Sequence, residues 1–154
     1  MKFIIIALMF LSSICYHQYN MPTYQNSCMV LQDKYPKMKR SWYCIIDRET
    51  KTTVFENREI CAVIDYESAQ TWNPSIVSCA GAVGLMQIMP YHGVKDRTDP
   101  EQNLVWGISH LQTRCIPAAH GIKTLAFALY HGGCNRKFLR SIDQKYVIEI
   151  MNRV

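Results

Sequence analysis

Apolar positions recur with a helical period most clearly between residues 57 and 67. Ile60, Val63 and Ile64 fall at i, i+3 and i+4, the spacing that lines one face of a helix, and Asn57 stands where a cap is expected. Glu67 continues the series at i+7, so it projects from the same face as Ile60 and Ile64 while Asp65 points well away. A second run, Leu125 to Tyr130, is apolar enough for a central buried helix that ends before Gly132-Gly133. Residues 42–55 are readable two ways. Trp42 to Asp47 and Thr52 to Phe55, flanking the polar Arg48 to Lys51, form a small β-hairpin, or a short helix followed by a loop. Residues 16–40 read as polar and irregular, apart from a short apolar stretch from Cys28 to Leu31.

The first fifteen residues are organised differently. Lys2 supplies a positive start, Phe3 to Leu11 an apolar run, and Ser13-Ile14-Cys15 small side chains at the two positions a signal peptidase reads. Residues 1–15 are therefore expected to be a signal peptide. The run is too short to favour a membrane span, so no span is expected after cleavage. Leu11-Ser12-Ser13-Ile14-Cys15 is also similar to a bacterial lipoprotein box with Cys15 as the lipidated residue, although Ile14 fits it poorly. Either route places the chain in a periplasmic or extracellular setting.

A length of 154 residues suits one domain with a real core. The 49% hydrophobic and 19% charged composition is globular and excludes low-complexity classes. Of seven cysteines, loss of Cys15 with the leader leaves Cys28, Cys44, Cys61, Cys79, Cys115 and Cys134. An even set in an exported domain reads as up to three disulfides, with the pairing open. Cys115, His120, His131 and Cys134 lie close in sequence, yet no C-x-x-C pair occurs, so no metal and no cofactor is expected. The net charge of +5, one unit of it from Lys2, suits an anionic polymer or surface as partner. Lys34-Tyr35-Pro36-Lys37-Met38-Lys39-Arg40 reads as a solvated loop face, and no nucleic-acid partner is expected.

Glu67 reads either as a helix-end side chain that simply reaches solvent or as a general acid. A carboxylate at the end of an apolar stripe is costly to bury unless paired or protonated, and apolar walls raise its pKa so that it holds a proton near neutral pH. Trp72-Asn73-Pro74 ends the helix, and Ser78 to Pro90 then runs without a charged residue. Gly81 and Gly84 permit unusual dihedrals or close backbone approach. Gln87 becomes a polar group in an apolar wall, which is how a ligand cleft is built.

Glu67-Ser68-Ala69, Trp72-Asn73-Pro74, Ser78 and Gly81-Ala82-Val83-Gly84-Leu85-Met86-Gln87-Ile88-Met89-Pro90 resemble the catalytic segment of the soluble lytic transglycosylases of bacterial cell walls. Asp99-Pro100-Glu101-Gln102-Asn103-Leu104, followed by Gly107, resembles that family's next helix start, with Pro100 at the first helical position. Leu129-Tyr130-His131-Gly132-Gly133 is similar to its Ala-Tyr-Asn-Ala-Gly stretch. The resemblance covers residues 56 to 134 and departs from the family twice. Gln70 and Thr71 look like an insertion that lengthens the helix or bulges the loop below the cleft, and His131 replaces the family's Asn.

The resemblance implies a mainly α, lysozyme-like single domain over residues 56–154, preceded by an extension over 16–55. It implies cleavage of the bond between N-acetylmuramic acid and N-acetylglucosamine in peptidoglycan, with 1,6-anhydro ends. Glu67 would be the single catalytic acid and base, Ser78, Gln87 and Met89 would line the sugar cleft, and Tyr130 would sit near Glu67 and orient it. Ordinary glycosidases use two carboxylates about 5–5.5 Å or 6.5–9.5 Å apart, and no second acid accompanies the motif. A hydrolytic muramidase closer to goose-type lysozymes would need Asp96 or Asp99 over the cleft. A glycan-binding scaffold that has lost its chemistry is the non-enzymatic alternative. The partner the resemblance implies is the peptidoglycan glycan strand, with local wall opening for a secretion, conjugation or phage apparatus as the task, a choice the sequence leaves open.

Overall fold

The computed structural model describes residues 22–135, 137 and 144–154, the side chains of 22–27 excepted. The expected signal peptide and lipoprotein box lie outside the described residues. The chain forms helices α1 (Pro22–Lys34), α2 (Arg40–Thr50), α3 (Asn57–Glu67), α4 (Pro100–His110), α5 (Lys123–His131) and α6 (Gln144–Arg153). Helix α4 runs on through a π-helical turn, Leu111–Cys115, and a short helix, Ile116–Ala118; a 3-10 turn spans Pro90–His92. No strand occurs among the described residues. The fold is mainly helical, as expected.

Of the two readings open for residues 42–55, the helix is the one formed. Trp42 and Ile46 fall at i, i+4, and with Tyr43 and Thr50 they are buried; the helix packs against α4 and α3. Aromatic and β-branched residues gave the segment a strand-like look, but packing against α4 decides it. Helix α1 also departs from the irregular segment expected before residue 40. Its sequence is largely polar, so the periodic signal is faint, yet Cys28 and Leu31 at i, i+3 enter the core beside Tyr35. Tertiary packing supplies what local propensity lacks.

Helix α3 lies at the centre, packed against α2 and α6. It opens with a capping box in which Glu56 is the cap and Glu59 answers from the third position. Asn57, expected as the cap, is instead the first helical residue; its amide donates to the Tyr43 hydroxyl at 3.1 Å and to Asp47 Oδ1 at 3.0 Å, tying α3 to α2. Ile60, Cys61, Ala62, Val63 and Ile64 are all fully buried. Each large aliphatic among them stabilises the fold by about 1.5–3 kcal/mol. This is what fixes the position of Glu67 one turn further on.

Cys115 and Cys134 form a disulfide with a Cα–Cα distance of 4.7 Å. Cys28 and Cys61 are buried thiols and Cys79 an exposed one, so the upper limit of three bridges is not reached. Among the described residues no helix is long and apolar enough to cross a membrane.

Candidate active site

Glu67 is the last residue of α3 and opens into a pocket of about 310 Å³. Helix α3 stops there because Ser68 caps its end, and the chain then bulges. Ala69, Gln70 and Trp72 all adopt positive φ, at 50°, 62° and 53°. Gln70 and Thr71, which the sequence suggested as an insertion, thus lie in a bulged loop and do not lengthen the helix. Gln70 offers its carbonyl to Lys37 Nζ at 2.9 Å, and none of residues 68–77 lines the pocket. Trp72 lies in the core, stacked on Trp42 and donating to Asp65 Oδ1 at 2.8 Å. Asp65 is further held by Arg153 at 3.3 Å, away from the pocket.

The loop from Ser78 to Met89 builds one pocket wall. Val83 and Ile88 bond each other's backbone in both directions, at 3.0 and 2.9 Å, and enclose a tight turn. Asn103, fully buried on α4, clasps that turn: its amide oxygen accepts from Met86 N at 2.8 Å, and its nitrogen donates to the Val83 and Arg97 carbonyls at 3.0 and 2.8 Å. Gly84, at φ +91°, and Gly107 on α4 make this fit possible. A Cβ on Gly84 would strike the Asn103 amide and the Arg97 carbonyl, and one on Gly107 would strike Met86.

Ser78, Gln87, Met89 and Tyr130, the residues singled out in the sequence, all line the pocket with Glu67. Gln87 sits at φ 49° and donates its side-chain amide to the Gly84 carbonyl at 2.9 Å. Its amide oxygen takes no donor among the described residues, which leaves it for a ligand N–H or O–H. The Ser78 oxygen accepts from Ala82 N at 3.1 Å, leaving the hydroxyl proton to give. The Tyr130 hydroxyl donates to the Met86 carbonyl at 2.8 Å. The hydroxyl that holds Glu67 belongs instead to Tyr146 on α6, at 2.8 Å from Oε1.

Sequence reasoning missed Tyr146, which lies 79 residues from Glu67 and carries no local signal. It also missed a cluster of rings in the pocket lining. His92, Trp106 and His110 have ring centroids 4.3, 4.4 and 5.2 Å apart pairwise. Trp106 and His110 stand at i, i+4 on α4, which was the available signal. His131 lines the pocket too, with its ring 4.9 Å from that of Tyr146.

The electrostatics follow from burial. Desolvation raises Glu67 to about 7 against the weaker, opposing hydrogen bond from Tyr146. Desolvation lowers His110 to about 4, helped by the charges of His92 and Arg114, and lowers His92 also. Burial and the nearby Glu67 hold Tyr130 and Tyr146 protonated. Among the described residues Glu67 is the sole carboxylate lining the pocket. Asp99 is spent capping α4, accepting from Glu101 N and Gln102 N. Asp96 accepts from Thr98 and Asp99 in an exposed turn.

The transglycosylase SLT domain family model matches residues 44–146. The chain belongs to this family. The chain is 29% identical over 117 residues to a transglycosylase of Enterobacteria phage PRD1, a match spanning 73% of this chain and 43% of the phage protein. Its fold is similar to that of the 70 kDa soluble lytic transglycosylase of Escherichia coli, with a TM-score of 0.55, 27% identity, and coverage of 80% of this chain and 20% of that one. The lysozyme-like, mainly helical fold is therefore the one this SLT domain has.

Proposed function

We propose that this SLT domain is a peptidoglycan lytic transglycosylase that cleaves the β-1,4 bond between N-acetylmuramic acid and N-acetylglucosamine without water. Neutral Glu67 gives its proton to the glycosidic oxygen, and the bond from that oxygen to muramyl C1 breaks. The resulting carboxylate takes the proton of the muramyl C6 hydroxyl as that oxygen bonds to C1, so the product is a 1,6-anhydromuramyl end and Glu67 is neutral again. Ser78, Gln87 and Met89 hold the sugars, and Tyr130 braces the Met86 side of the wall. The supporting observation is one carboxylate, raised to about 7, in a pocket whose described lining holds no other acid. Ordinary glycoside hydrolases use a second carboxylate as base or nucleophile, and Asp96 and Asp99 are engaged elsewhere.

Peptidoglycan as substrate places the enzyme in the periplasm or outside the cell. The likeness to a phage transglycosylase supports local wall opening for a phage or secretion apparatus as its task. The test is mass spectrometry of the soluble products released from peptidoglycan by purified protein, with Glu67→Gln alongside. Anhydromuramyl ends absent from the variant are expected. Reducing muramic acid would indicate hydrolysis, and binding without Glu67-dependent cleavage would indicate a scaffold.

A further inference from the structure

At the pocket lining around His110 lie three potential metal donors that the proposed chemistry does not use. The ligand atoms of His110, Cys115 and Cys134 all lie within 4.8 Å of one another. The donors differ from those the sequence suggested, since His120 and His131 take no part and His110 comes from α4.

Local structure explains the convergence. The π-helical turn over Leu111–Cys115 widens α4 after His110. Cys134 follows α5 in the left-handed region at φ 57°, with its N–H bonded to the Leu129 carbonyl at 2.6 Å. A second observation concerns His110 itself: its Nε2 is buried and has no hydrogen-bond partner among the described residues. A buried ring nitrogen left unmet is uncommon and calls for a ligand or a function. In the oxidised chain both sulfurs are committed to each other, and the imidazole is left over.

We infer that His110, Cys115 and Cys134 form a Zn²⁺ site of the reduced chain, mutually exclusive with the Cys115–Cys134 disulfide. Two thiolates and one imidazole are a borderline-soft donor set suited to zinc, with a fourth position open to solvent. A phosphine or dithiol reductant gives two electrons to the disulfide and is itself oxidised, and each sulfur takes up a proton. Zinc then displaces both protons to solvent and binds the two thiolates. With Zn–S bonds of about 2.3 Å in a tetrahedral site, the sulfurs move apart to about 3.8 Å. Because His110 also lines the catalytic pocket, the state of one cysteine pair is felt at the wall that faces Glu67.

The experiment uses the full chain with Cys79→Ser, which removes the exposed thiol. The protein is reduced with a phosphine, freed of excess reductant without air, and titrated with Co²⁺ as a coloured stand-in. Expected are a thiolate-to-cobalt charge-transfer band and strong tetrahedral d–d absorption that saturate at one equivalent, are displaced by Zn²⁺ and are absent from the oxidised protein. Cys115→Ser and Cys134→Ser should lose the band, and His110→Ala should weaken binding at least about tenfold. Zn²⁺ should raise the Tm of the reduced protein bearing only Cys79→Ser and leave that of the oxidised protein unchanged, a readout that needs no further variant. No charge-transfer band in the reduced, natively folded protein would overturn the inference. So would a band that survives Cys115→Ser or is indifferent to His110→Ala, since other thiols would then be its source.

Discussion

Helix α3 carries a glutamate near each end, and the two sit in opposite surroundings. Glu59, in the first turn, lies where a helix N-terminus favours negative charge. It closes the capping box and receives Lys123 Nζ at 2.7 and 2.9 Å. Glu67, the last residue, lies at the end that disfavours negative charge. Among the described residues its side chain is met by the Tyr146 hydroxyl and by no cation. One residue type on one helix is thus a structural anion at one end and, in the proposed reaction, a proton carrier at the other. The neighbours make the difference: a cation and an amide in one case, a phenol and lost water in the other.

Substituting each glutamate in turn separates these roles. Glu67→Gln keeps the shape but cannot give or take a proton, and muropeptide release should fall by about a thousandfold or more. Near-wild-type release would break the contrast outright. The same variant should change stability in the other direction. Because the folded carboxyl is raised to about 7 from an ordinary 4.5, its contribution is fully present below pH 4.5 and is lost as pH rises through 7. Above pH 7, Glu67→Gln should therefore be more stable than wild type by about 3 kcal/mol in urea unfolding, with the gap closing toward pH 4. Glu59→Gln, by contrast, should cost about 1–2 kcal/mol between pH 5 and 8, with kcat unchanged for the folded enzyme. The smallest effect is expected for Tyr146→Phe. Its hydroxyl lowers the Glu67 pKa, so its loss should move the alkaline limb of kcat/KM, expected near pH 7, upward by less than one pH unit.

The two ends of α3 were not equally legible in the sequence. Glu67 was visible because Ile60 and Ile64 fix the helix face, and the uncharged run from Ser78 to Pro90 marks a wall. Glu59 was not, because its partner Lys123 is 64 residues away and only the folded chain brings them together. The same reason hides Tyr146. Asn57 has the chemistry of a cap but sits one position inside, where α2 offers its side chain better partners in Tyr43 and Asp47. Helix α1 was illegible for another reason: Leu31 and Cys28 are few apolar residues for a helix of 13, and the core they join lies elsewhere in the sequence. The ring cluster could have been found in part, since the spacing of Trp106 and His110 is written on α4, but His92 joins from a separate turn.

The Asn103 clasp has a consequence in time. Its single amide holds Met86 N, the Val83 carbonyl and the Arg97 carbonyl at once, so the sugar-facing turn takes its shape from a helix that follows it in the chain. The turn keeps this shape only while α4 is docked, which ties the persistence of the cleft to that of the whole core. The Met86 amide hydrogen should accordingly exchange with solvent only as often as the molecule opens globally.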